Sequence, residues 1–193
     1  MDKITGLFFG SFNPIHIGHL MIANYMVEFT DLAEVWFMIS PHNPLKQKSS
    51  LLEDHHRYYM VQMAVENDAR FRASNIEFNL PQPSYTIDTL TYLEEMYPSR
   101  QFALISGTDI FPSFHKWKNY QTLIERFPFY VYPRPDSDPG EYAGHENIRM
   151  VDAPQVEISA SFIRKAIKQG KDIRYYLPAG VFEHIREMHF YEK

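Results

Sequence analysis

Two imidazoles three residues apart, set in a glycine-bearing turn, are the first chemistry this chain offers. The stretch Phe9-Gly10-Ser11-Phe12-Asn13-Pro14-Ile15-His16-Ile17-Gly18-His19 follows an apolar run from Ile4 to Phe9. It precedes a segment in which Leu20, Ala23, Asn24 and Val27 recur at helical spacing. The run predicts a short buried strand and the segment a buried helix, so the stretch is a strand-to-helix turn. In an open α/β sheet such turns lie at the carboxyl ends of strands, where ligands bind. The first N–H groups of a helix have no internal partner and attract an anion. His16 and His19 stand where they can donate to that anion from the side. Gly10 and Gly18 allow the backbone to approach it closely. A plain turn with two surface histidines is the bland alternative. A metal pair is another, but no third ligand stands at a sensible spacing. The whole eleven-residue context favours a phosphate over both.

Composition narrows the classes. The chain has 193 residues, enough for one sizeable core, and reads as a single domain over 1–193 with a small helical part from about 158. Nineteen basic residues stand against 24 acidic ones, for a formal charge of −5. Long nucleic acids are thereby disfavoured, since their binders carry a basic excess. There is no cysteine, which excludes disulfides, thiol catalysis and cysteine-based zinc sites. No signal-peptide pattern precedes the first strand, and no apolar run approaches the ~18 residues of a membrane helix. A cytoplasmic protein without membrane contact is the expectation, and a homo-oligomer is left open.

The remaining elements must carry that turn and its partners. Glu34 to Ile39 predicts a second strand, ending in a proline-broken loop from Ser40 to Lys46. Ser50-Leu51-Leu52-Glu53 has the form of a capping box and opens a helix to about Glu66, with Tyr59, Met60, Met63 and Ala64 inward. Phe71 to Phe78 suggests a short strand or two. A helix runs from near Tyr85 to about Tyr97, with Ser84 as its N-cap. Phe102 to Ser106 is a strand ending in Gly107-Thr108-Asp109, Phe114 to Phe127 is helical, and Phe129 to Tyr132 is a strand. Pro133 to Gly144 reads as a lid or surface excursion. Ile148 to Val151 is a last strand. A helix begins at Ser159, and another at Pro178 with proline in the first turn. Strands alternating with helices predict an α/β, Rossmann-like, doubly wound and mostly parallel sheet with helices on both faces. The loops at His16, Lys46 and Asp109 then share one rim.

Gly10 to His19 resembles the Gly-x-Phe-x-Pro-x-His-x-Gly-His signature of the nucleotidylyltransferase α/β-phosphodiesterase superfamily. Ile158-Ser159-Ala160-Ser161-Phe162-Ile163-Arg164 resembles its second motif, Ile-Ser-Ser-Thr-x-Ile-Arg, with Ala160 where a serine is usual. Ser84 to Leu90, and Gly107-Thr108-Asp109 followed by Trp117, are similar to segments of the bacterial branch that adenylates nicotinate mononucleotide. The correspondence runs from Gly6 to the closing helix. In the second loop Asn43-Pro44-Leu45-Lys46 keeps the lysine of Pro-Pro-His-Lys but not the histidine, and His42 is a weak substitute.

What the resemblance implies is transfer of AMP from ATP to nicotinate mononucleotide, with pyrophosphate leaving and Mg²⁺ carried by the ATP. His16, His19, Lys46 and Arg164 are the implied catalytic groups. Gly10, Ser11, Phe12, Gly18, Arg134, Ser159 and Ser161 are implied at the ATP, and Tyr85, Thr86, Asp109 and Trp117 at nicotinate mononucleotide, with no protein metal site. No nucleophilic side chain or general base is called for, because a phosphate monoester is mostly a dianion at neutral pH. A helix start receiving the substrate carboxylate suits an acceptor-only acid and leaves an amide NH₂ unmatched. Nicotinamide mononucleotide is the rival acceptor, and a nucleotide-binding sensor without turnover the rival of another class. Arg57 reads as structural. His55, His56, His115, His145, His184 and His189 read as ordinary surface or core histidines.

Overall fold

The structure, a computed structural model, describes residues 3–41 and 51–192. Six strands form one sheet: β1 (Ile4–Gly10), β2 (Leu32–Ile39), β3 (Phe71–Ser74), β4 (Gln101–Gly107), β5 (Phe129–Tyr132) and β6 (Ile148–Met150). Their order is β3-β2-β1-β4-β5-β6, and every ladder among the described residues is parallel. This is the doubly wound Rossmann order, whose direction reverses between β1 and β4. The helices are α1 (Ile17–Phe29), α2 (Asp54–Val65), α3 (Thr86–Met96), α4 (Phe111–Phe114), α5 (Tyr120–Arg126), α6 (Ala160–Lys168) and α7 (Ala179–Glu187).

Alternation along the strands builds two cores. Phe8, Phe37, Ile39, Ile105 and Tyr130 point to one face and meet Ala23 and Met26 of α1, Met60 and Val61 of α2, Ile163 of α6 and Val181 of α7. Leu7, Trp36, Met38, Leu104 and Phe129 point to the other and meet Leu90 of α3, Phe114 of α4 and Leu123 of α5. Burial on both faces explains why these strands read as continuous apolar runs.

Several local expectations are corrected. In α2 the buried positions are Arg57, Met60, Val61 and Val65, whereas Tyr59 is exposed and Met63 and Ala64 are half-buried. The inner face is therefore rotated by one step, because a charged residue occupies its centre. That helix begins after Glu53, and Ser50 lies outside the described residues. Phe71 to Phe78 holds one strand followed by a 3₁₀ turn, Ile76–Asn79. The N-cap of α3 is Tyr85, not Ser84, and Pro178 is an N-cap rather than a first-turn residue. The helix expected over Phe114 to Phe127 is broken, since Asn119 takes a left-handed backbone (φ 51) that ends the first turn before α5 starts. The segment from Pro133 to Gly144 is not structureless: Arg134 and Ser137 form a bridge, and Tyr142 packs on Phe111 and Phe114.

Candidate active site

The carboxyl ends of β1, β4 and β5 open into a cavity of about 910 Å³, also walled by the starts of α3 and α6. Of the candidate residues, His16, His19, Gly10, Ser11, Phe12, Gly18, Tyr85, Thr86, Asp109, Trp117, Arg134, Ser159, Ser161 and Arg164 all line it. Lys46 and His42 lie outside the described residues. The reversal of strand order thus brings together residues up to about 150 positions apart, where a doubly wound sheet leaves a crevice.

His16 is the N-cap of α1 and is only 4% exposed. Its backbone N–H donates to His19 Nδ1 at 3.2 Å, and the two rings stack with centroids 3.7 Å apart. Burial holds the His16 pKa down to about 4, and the nearby Arg134 charge acts in the same direction. In the free protein the ring is therefore neutral at neutral pH. Gly18 fits under this ring, since a Cβ there would stand 3.1 Å from His16 Nδ1.

Phe12 and Gly10 line the cavity and also pack on the core. The Phe12 ring is buried and packs edge-on against Phe8, Phe37 and His19. Its backbone (φ 43), not its ring, is what it offers a ligand. A Cβ on Gly10 would lie 2.9 Å from that ring, so Gly10 makes room for Phe12 while it also lines the cavity.

The turn is held from below. Arg57 is fully buried and donates to the carbonyls of Ser11 (2.6 Å), Ser40 (3.0 Å), Pro41 (3.2 Å) and Leu52 (2.9 Å), with Asp54 as counter-ion at 2.5 Å. Burial lowers its pKa and Asp54 counters this. It stitches the ends of β1 and β2 together, which bears out a structural reading. Arg164 donates to the Asn13 carbonyl at 2.7 Å and to Ser161 Oγ at 3.3 Å. Ser159 caps α6, its Oγ accepting from Phe162 N at 3.1 Å.

On the opposite wall, Thr108 is buried. Its hydroxyl accepts from the Arg134 N–H at 2.9 Å and lies 2.7 Å from Ser137 Oγ. Arg134 is thereby fixed beside the cavity, with Asp109 3.9 Å from its Nε. Lys118 spans the α3 start and the Trp117 segment, contacting Asp88 at 2.8 Å and lying 5.0 Å from the Tyr85 ring centre. Trp117 rests half-buried on Phe114.

Sequence reasoning missed Glu77. It lines the cavity although only 2% exposed, accepts from Thr89 Oγ1 at 2.7 Å, and has its pKa raised by burial, opposed by the hydroxyls of Thr89, Ser40 and Ser84. A single glutamate in a short 3₁₀ turn has no periodicity to mark it. Among the described residues no three His, Asp or Glu side chains converge as a metal site, and no helix is long and apolar enough to cross a membrane.

A parallel sheet with a turn, two imidazoles and a capped helix converging at its reversal point is the arrangement in which doubly wound sheets bind nucleotides, and it points to the nucleotidyltransferase class. The model of the cytidylyltransferase-like family matches residues 7–166, and the chain belongs to that family. Within it, the chain is 51% identical to a protein of Christiangramia forsetii over 100% of both chains. It is 50% identical to one of Flavobacterium johnsoniae over 97% of this chain and 98% of the other. Both relatives carry the name probable nicotinate-nucleotide adenylyltransferase. The fold also matches the nicotinic acid mononucleotide adenylyltransferase of Plasmodium falciparum in complex with NaAD, with a TM-score of 0.82, 21% identity and 98% of both chains covered.

Proposed function

We propose that this protein transfers AMP from ATP to nicotinate mononucleotide, releasing pyrophosphate and forming deamido-NAD for NAD biosynthesis. The observation that carries the reading is the convergence of His16, His19, Arg134 and Arg164 with the starts of α3 and α6 around one cavity. An oxygen of the acceptor's phosphate attacks the α-phosphorus of ATP. The bond from that phosphorus to the bridging oxygen breaks, and its electron pair leaves with pyrophosphate. The attacking phosphate is mostly a dianion at neutral pH, so no side chain has to remove a proton. What the chain supplies is alignment and compensation of charge on the transferring group.

His16 donates its N–H to the α-phosphate, with His19 stacked against it. Lys46 adds charge from the second loop. Ser159, Ser161 and the first-turn amides of α6 hold the β- and γ-phosphates, with Arg164 beside them, and Ser11 and Arg134 contact the nucleotide. A Mg²⁺ ion carried with ATP would supply further compensation of the triphosphate charge. Tyr85 and Thr86 offer the start of α3 to the nicotinate carboxylate, where the helix dipole favours an anion. Trp117 stacks on the pyridine ring and Asp109 accepts from a ribose hydroxyl.

Pyrophosphate release with ATP and either nicotinate or nicotinamide mononucleotide tests this. Strong preference for the acid is expected, because an amide leaves a donor unmatched. Preference for the amide would overturn the assignment of the acceptor, and release with neither would overturn the reading. Nicotinate mononucleotide is also expected to quench tryptophan emission, and Trp117→Phe to remove most of the quench. Trp36, 1% exposed, is shielded from ligand.

A further inference from the structure

The turn that leads to His16 is secured by a residue from the far end of the sequence. Tyr191 follows α7 and takes a left-handed backbone (φ 67), uncommon for a bulky side chain. Its hydroxyl donates to Asn13 Oδ1 at 2.7 Å. The same oxygen accepts from the Leu52 N–H at 3.3 Å, and the Asn13 main-chain carbonyl accepts from Arg164 at 2.7 Å. Asn13 is 3% exposed, so a lost partner there has no bulk water to replace it. Tyr191 is half-buried, and desolvation raises its phenol pKa against the opposing Arg164 and Arg57 charges, so it stays a donor.

We propose that Tyr191 is a positioning residue for the phosphate-binding turn. Its hydroxyl fixes the Asn13 side chain, and Asn13 fixes the backbone two residues before the His16 peptide. Arg57 holds the carbonyl of Ser11, two positions earlier, from α2, and Arg164 holds the carbonyl of Asn13 from α6. Three segments, around Arg57, Arg164 and Tyr191, therefore converge on Ser11 and Asn13 of the turn. Of the three, only Tyr191 reaches it through a neutral hydroxyl, which can be deleted without stranding a charge. The inference rests on the adenylyl-transfer reading above.

The test is Tyr191→Phe in the full chain, which keeps the ring and removes the hydroxyl. The readouts are pyrophosphate release with ATP and nicotinate mononucleotide, and thermal melting of the same samples. A fall in kcat of about tenfold is expected, since small misplacements of a reacting group are costly. KM for nicotinate mononucleotide stays unchanged, because the acceptor wall does not contact Tyr191. Tm falls by about 2–4 °C, as for one hydrogen bond in a chain of this size. Asn13→Ala lowers kcat by itself, and adding Tyr191→Phe to it gives no further loss. A wild-type protein that releases no pyrophosphate overturns the adenylyl-transfer reading and this inference with it. An active wild type with a Tyr191→Phe kcat within about twofold overturns the inference alone. So does a loss of activity that merely follows a loss of folded protein.

Discussion

The buried, neutral His16 makes stability depend on pH in a way that one substitution isolates. Its pKa is about 4 in the folded protein against 6.5 in an open chain. The unfolded chain therefore binds a proton that the folded chain refuses between those values, and stability falls as pH falls through that window. Above the unfolded value the contribution is fully present. Below the folded value it is fully lost, and 2.5 units correspond to about 3.4 kcal/mol. Integrating from about pH 7.5 to about pH 5 gives a loss of roughly 2 kcal/mol from this residue. The perturbation is His16→Gln, which is polar but does not titrate. Urea unfolding of both proteins at the two pH values gives the two losses, and their difference cancels every other titrating group. Wild type is expected to lose about 2 kcal/mol more than the variant. An NMR titration of the imidazole should find the His16 ring neutral down to about pH 5. Equal losses in the two proteins, or a ring that protonates near the open-chain value, would refute the account of His16 as a neutral donor.

Two further outcomes check the scaffold beneath the site. Arg57→Met leaves the carbonyls of Ser11, Ser40, Pro41 and Leu52 without this donor. It should cost at least about 3 kcal/mol, or roughly 6–12 °C in Tm. A variant melting within about 2 °C of wild type would remove Arg57 as the brace between the ends of β1 and β2. Gly10→Ala puts a Cβ 2.9 Å from the Phe12 ring and should destabilise by about 1–3 kcal/mol. Phe12→Leu in the same chain should recover part of that loss, whereas purely additive losses would refute a steric conflict between the two positions.

The sequence by itself determined the alternation of strands and helices, because strands buried on both faces need unbroken apolar runs and their connections need amphipathic or buried helices. It also determined where the turn that lines the cavity lies. Gly10 to His19 is local, and local order survives in a linear reading. The cap at Ser159 was legible for the same reason. Tertiary structure decided what each of those residues does. Phe12 and Gly10 line the cavity and pack on the core as well, which only the neighbours Phe8 and Phe37 reveal. His16 reads as a donor in the sequence, and only its burial shows that the free ring is held neutral. Arg57 sits in the middle of a helix face expected to be apolar, since the carbonyls that satisfy it come from three other segments. Glu77 and Tyr191 left no mark in the sequence. Their partners, Thr89 and Asn13, stand 12 and 178 positions away. Such contacts exist only after the sheet has closed the distance, and no periodicity along the chain encodes them.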